Sequence, residues 1–173
     1  NRIPTPNNCN HTILKIISIA KDLEKGKENN LSIGICHPGS VDKTTGLIKN
    51  AHNSQWQNEK NIVQDLKKEI KNNVYSENDA NCFCLSESID GSASKYDSVF
   101  GVILGSGCGG GLVINKKIIT GLNGLSGEWS LNQMPETNVQ NLTSRPKLEF
   151  FNRIEGYLSG KSIENNFNSK FNE

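Results

Sequence analysis

Gly105-Ser106-Gly107-Cys108-Gly109-Gly110-Gly111 places five glycines in seven residues, directly behind the apolar run Ser98-Val99-Phe100-Gly101-Val102-Ile103-Leu104. So continuous an apolar run is expected to form a strand buried on both faces. The glycines contain the pattern Gly-x-Gly-x-x-Gly, with Glu128 18 residues beyond Gly110. A dinucleotide fingerprint of that form opens a helix. Here Leu112-Val113-Ile114, a turn at Asn115-Lys116-Lys117 and the strand Ile118-Ile119-Thr120 follow, which is the pattern of a β-hairpin. No Gly-Lys-Ser/Thr closes the run, so it is not a Walker loop. Glycine admits positive φ and lets backbone N–H groups come close to a ligand, so an anion such as a nucleotide phosphate is the expected occupant. A strained hairpin turn without a ligand is the alternative.

Around this run the chain alternates helical and extended patterns. Ile13, Leu14, Ile16, Ile17, Ala20 and Leu23 predict a helix over 10–25, stopped by Gly26. Leu31 to Cys36 alternates as a strand and breaks at Pro38-Gly39. Asp42 to Gly46 reads as a turn with a short strand at Leu47-Ile48 behind it. Ile62, Val63, Leu66 and Ile70 predict a helix over 61–71. A brief strand at Val74-Tyr75 leads to a helix over 80–90, ending before Gly91. Residues 135–145 are polar and irregular, and 154–167 is helical with an interruption near Gly160. The class is α/β, and the composition shift at 91–95 suggests a division into residues 1–92 and 93–173.

Composition removes several function classes. The net charge is +1 without a basic block, which argues against nucleic acid as the partner. No run of about 18 apolar residues is present, so no membrane span is expected. The opening Asn1-Arg2-Ile3-Pro4-Thr5-Pro6 has no apolar core of a secretory signal. It also lacks Met, and the chain is expected to be part of something longer. Five cysteines at Cys9, Cys36, Cys82, Cys84 and Cys108 fit neither a disulfide framework nor a zinc ribbon, and reduced thiols in the cytoplasm are expected. Three Asn-x-Ser/Thr triplets, at Asn10, Asn30 and Asn141, are discounted as chance matches among 24 asparagines.

Asp79 lies where a short strand hands over to a helix, flanked by Asn78 and Asn81. A carboxylate there can take a proton from a hydroxyl while amides hold the substrate; its commonplace role would be a helix N-cap. Glu128, after Gly124-Leu125-Ser126-Gly127, can bind polyol hydroxyls. Pro38-Gly39-Ser40, Thr45 to Ala51, Asn78-Asp79-Ala80-Asn81-Cys82, Val99 to Gly111 and Gly121-x-Asn123-Gly124-x-x-Gly127-Glu128-Trp129 occur in an order and spacing that resemble the ROK family of sugar kinases and repressors, nearest its fructokinase-like (mannofructokinase) members. The resemblance runs from Arg2 to Gly160.

That resemblance implies an actin/hexokinase-like (ribonuclease H-like) two-lobed α/β fold, incomplete here, with the sugar site and the catalytic Asp in the first lobe and the phosphate loop in the second. It implies ATP-dependent phosphorylation of a hexose, fructose at its 6-hydroxyl, with Asp79 as general base and ATP and Mg²⁺ as co-substrate and cofactor. Asn78, Asp79, Glu128 and Glu155 match sugar contacts, and Gly105, Ser106, Gly107, Cys108, Gly109, Gly110 and Gly111 match a phosphate loop. A homodimer is the assembly it implies. The chain also departs from the pattern. The Asp-x-Gly-Gly-Thr loop that opens relatives is not in it, and it stops before their Gly-rich adenosine segment. Leu131 stands at the position of a zinc-binding His, and Pro146, Leu148 and Arg153 at those of the cysteines, so zinc is not predicted and no metal ligand is assigned. His37 replaces an apolar residue and is expected to be structural. The alternative is a non-catalytic sugar-binding or degenerate remnant of a ROK kinase. A kinase parent is expected, with poor or no turnover by this stretch alone.

Overall fold

The computed structural model describes residues 3–26, 31–135 and 153–171. The backbone divides into two compact units, Asn1–Asp79 and Ala80–Glu173.

In the first unit, helix α1 (Cys9–Glu24) is capped by Asn8, whose side chain accepts from His11 N at 2.9 Å. Gly26, at φ +77°, follows its end. Strand β1 (Ile33–His37) pairs in parallel with β4 (Val74–Asn78), in a register running from Ile33 opposite Val74 to His37 opposite Asn78. Between them lie the antiparallel pair β2 (Ser40–Val41) and β3 (Ile48–Lys49), a 3₁₀ turn (His52–Gln57) and helix α2 (Ile62–Glu69). The Asn61 side chain caps α2 by accepting from Gln64 N at 2.9 Å. Ile13, Ile17, Ile48, Ala51, Ile62, Leu66 and Val74 form the core of this unit. It joins one stripe of each helix to the strands, as the apolar spacing requires. The strand expected at Val74-Tyr75 thus runs on to Asn78, because β1 offers it five partners.

In the second unit, helix α3 (Asp79–Ile89), whose first residue is the last of the first unit, follows β4 without an intervening loop. A three-stranded antiparallel sheet follows, in the order β5 (Ser98–Leu104), β6 (Cys108–Ile114), β7 (Lys117–Ile118). Asn115 and Lys116, at φ +49° and +61°, make the β6–β7 turn. A short 3₁₀ helix (Trp129–Leu131) and the helices α4 (Glu155–Leu158) and α5 (Gly160–Phe171) complete the described part. The expected break near Gly160 falls at Ser159, and the stretch expected over 135–145 lies outside the described residues apart from Pro135.

Two expectations change. β5 is not buried on both faces: Val99 is in the core with Cys84 and Val113, while Phe100, Val102 and Leu104 are 48%, 47% and 61% exposed. Antiparallel pairing permits this, since such a sheet needs only one covered face. The glycine run, moreover, is not one loop. Cys108 to Ile114 is strand, with Gly109, Gly110 and Gly111 opposite Ile103, Val102 and Gly101. α3 packs from its first turn onto β6: Ala80 and Asn81 lie against Gly111, and Cys84 against Gly101 and Gly111.

Candidate active site

Asn78 is the last residue of β4 and Asp79 the first of α3, so the carboxylate stands at a helix N-terminus, where the backbone dipole favours negative charge. Asn78 is tied to the chain on its other side: its Nδ2 donates to Gly39 O at 3.0 Å. Gly39 has φ +84°, and a methyl there would lie 2.5 Å from Lys49 O, so only glycine fits where the Pro38-Gly39-Ser40 turn meets β3. The turn behind it is held by Asp42, whose Oδ1 accepts from the amides of Thr44 and Thr45 at 2.9 Å and whose Oδ2 pairs with Lys49 Nζ at 2.7 Å. Those bonds hold the Asp42 carboxyl well below the usual carboxylate range, the Lys49 contact contributing most. His37, beside this turn and 4% exposed, has Nδ1 donating to Pro38 O at 2.9 Å, while its buried Nε2 has no partner among the described residues. The expectation that His37 is structural fits its burial.

In the second unit the glycines divide by cause. None from Gly105 to Gly111 uses positive φ. A methyl at Gly110 would lie 2.7 Å from Gly101 O and 2.8 Å from Trp129 Cδ1, and one at Gly111 would lie 2.8 Å from both Ala80 O and Cys84 Cβ. These two glycines let α3 and the 128–131 segment approach β6, and their role is packing. Gly105 and Gly109 are open: a methyl at Gly105 would have Gly107 O at 3.8 Å as its nearest neighbour, and one at Gly109 would have Ala80 Cβ at 3.7 Å. The turn before β6 is pinned through its carbonyls and one amide. Gly105 O accepts from Gly160 N at 2.7 Å, and Gly105 N donates to Gly107 O at 2.9 Å. Cys108 O accepts from Ser130 Oγ at 2.9 Å, and Gly109 O from Trp129 Nε1 at 2.8 Å.

Of the two expected glutamates, Glu155 reaches this turn directly. Glu155 Oε1 accepts from Cys108 N at 3.2 Å. Glu128 immediately precedes Trp129 and Ser130, whose side chains anchor that segment to β6. Burial first, and then the charge of Glu155, push the Cys108 thiol up. The anchoring roles of Trp129 and Ser130 were not read from the sequence, although their place beside Glu128 in Gly-Glu-Trp-Ser is the signal for them. Leu131 is 37% exposed and Arg153 forms a β-bridge with Gln133; Pro146 and Leu148 lie outside the described residues. Among the described residues no three His, Cys, Asp or Glu side chains converge to hold a metal. Among the same residues no helix is long and apolar enough to cross a membrane.

A model of the ROK family matches residues 1–173. N-acetyl-D-glucosamine kinase of Pectobacterium atrosepticum is 33% identical over 171 residues, covering 94% of this chain and 55% of the relative. The chain therefore spans about half the length of the curated relatives it matches. Among solved structures, a ROK hexokinase from Thermus thermophilus superposes with TM-score 0.79 at 22% identity, covering 99% of this chain and 56% of that one. A ROK glucokinase from Streptomyces griseus, in complex with glucose and AMPPNP, superposes with TM-score 0.72 at 24% identity, covering 93% and 49%. The fold is the α/β actin/hexokinase-like fold of these structures, present in part. The leaning towards fructokinase-like members is corrected: the curated relatives from Pectobacterium atrosepticum, Pasteurella multocida and Haemophilus influenzae that match are named for N-acetyl-D-glucosamine.

Proposed function

The chain belongs to the ROK family, and on that premise we propose that it carries the sugar site and a phosphate-binding turn of an ATP-dependent hexose kinase. The observation that carries the reading is the Asn78–Asp79 junction, with its carboxylate on the first turn of α3 and its amide fixed to the Pro38-Gly39-Ser40 turn. Asp79 takes the proton from a hexose hydroxyl as that oxygen attacks the γ-phosphorus of Mg-ATP. The bond from phosphorus to the bridging oxygen breaks, and ADP leaves. Such transfer depends on positioning and charge neutralisation more than on covalent chemistry. By the resemblance, Asn78 in the first unit and Glu128 in the second are sugar contacts, and the open Gly105 and Gly109 of the second unit are the phosphate side. The names of the relatives support N-acetylglucosamine as the sugar; the 6-hydroxyl as acceptor, and fructose as the second candidate, come from the sequence resemblance alone.

One observation favours a second reading, a binding domain without turnover. Leu131, an apolar side chain, stands where the family resemblance implies a polar sugar contact. The two readings separate on ADP release with Mg-ATP against N-acetylglucosamine, glucose, mannose and fructose. The kinase reading expects sugar-dependent ADP that is highest with N-acetylglucosamine, and an Asp79→Asn variant at least about a hundredfold slower. Saturable sugar binding with no ADP formed by a folded sample would support the binding domain instead.

A further inference from the structure

Asn123-Gly124 is the only Asn-Gly pair in the sequence, and the fold leaves it open. It lies at the tip of a loop closed at its base by Ser126, whose N donates to Thr120 O at 3.3 Å and whose hydroxyl donates to Ile119 O. Asn123 is exposed and its neighbour Leu122 is 94% exposed, so the tip stands in solvent. Neither the Asn123 side chain nor the Gly124 amide makes a hydrogen bond among the described residues. Comparable pairs are guarded. In Asp90-Gly91 the glycine amide donates to Ser86 O at 3.2 Å, and behind Asn53 the Ser54 amide donates to Ala51 O at 3.2 Å. Asn168-Ser169 lies inside α5, where the helix uses the amide.

An asparagine amide followed by a free backbone N–H can close on it. The Gly124 nitrogen attacks Asn123 Cγ, and the new C–N bond completes a five-membered succinimide. The Cγ–Nδ2 bond breaks, and Nδ2 leaves as ammonia with the proton given up by the Gly124 nitrogen. Water then opens the ring at either carbonyl, giving aspartate, or isoaspartate in which the backbone runs through Cβ and Cγ. Nothing is oxidised or reduced. Glycine at 124 favours the attack because no Cβ shields its nitrogen, and asparagine is among the thermally labile side chains. We propose that Asn123-Gly124 is a self-modification site, where the folded chain deamidates without an enzyme and so weakens its own sugar site. The modified loop carries one more carboxylate and, in the isoaspartyl form, one more backbone carbon. Leu125, next along the chain, accepts from Glu128 N at 3.1 Å, so a shift at 123–124 is passed to Glu128. The effect on sugar rests on the proposed reading of Glu128 as a sugar contact.

The test ages the native chain in mildly alkaline buffer with a thiol reductant, beside Asn123→Gln, whose longer side chain would have to close a less favourable six-membered ring. Peptide mass spectrometry reads the amide-to-acid change at each asparagine, an isoaspartate-specific methyltransferase labels the isomer, and circular dichroism confirms that both samples stay folded. The expected result is conversion at Asn123 at least about tenfold faster than at Asn168, which must wait for the helix to open. Asp90 is expected to show no comparable isomerisation, and the Asn123→Gln loop none. Calorimetry with N-acetylglucosamine is expected to show binding about tenfold weaker after ageing in the wild type, and unchanged in Asn123→Gln. Conversion at Asn123 no faster than at Asn168 overturns the proposal and leaves the kinase reading to its own assay. Selective conversion with unchanged sugar affinity overturns the link to Glu128. Selective conversion in a chain that binds no sugar even when fresh upholds the modification and counts against the sugar reading.

Discussion

Gly110 and Gly111 sit in a strand whose neighbours leave no room for a methyl, whereas Gly109 between the same strands has room. The three therefore respond differently. Gly111→Ala drives a methyl against Ala80 O and Cys84 Cβ, backbone and core atoms with nowhere to go, and is expected to cost about 1–3 kcal/mol in a denaturant titration. Gly109→Ala leaves the melting temperature close to that of the wild type, and weakens nucleotide binding if the open glycines contact phosphate. The sequence made the glycines conspicuous but not their division of labour: a run of five looks like one loop until it is known which of them oppose a helix. Asp79 was legible for a better reason. The extended Val74-Tyr75 stretch, the asparagines on either side and the helical spacing behind it all place its carboxylate at a strand-to-helix junction, and the structure has that junction.

At the scale of the element, helix limits were the most readable feature, because caps and apolar spacing are local. α2 begins behind Asn61 and buries Leu66 completely. Leu66→Ala is expected to destabilise the first unit by about 2–5 kcal/mol through lost contacts and the cavity left behind. The β5 face was misread because an apolar run cannot say how many layers will cover it. Phe100, Val102 and Leu104 look like core residues in the sequence and are exposed on the strand. The Asp42 turn gives a pH prediction. The folded-state pKa of Asp42 is depressed, so its contribution is present above the ordinary carboxylate pKa and is lost as pH falls through and below that value, about 4. Asp42→Asn should flatten the fall of melting temperature below pH 4, with little change in the slope at neutral pH.

For the whole molecule, order along the chain carried more than any single motif. Motifs of moderate specificity, correctly spaced from Pro38 to Trp129, reached the family that the full-length match then established. They did not reach the sugar. A hexose is chosen by a few hydroxyl and substituent contacts, and local wording around Asn78 or Glu128 does not record which substituents they meet.

The proposed function is phosphoryl transfer to a hexose through Asp79. Its most direct test is single-turnover transfer from ATP radiolabelled at the γ-phosphoryl, with the chain in excess so that even a slow reaction registers, in the presence and absence of N-acetylglucosamine. The account predicts a labelled sugar phosphate in the wild type that is missing in Asp79→Asn. A folded sample in which the label stays on ATP or leaves only as inorganic phosphate, whether or not sugar is present and alike in both proteins, would contradict it.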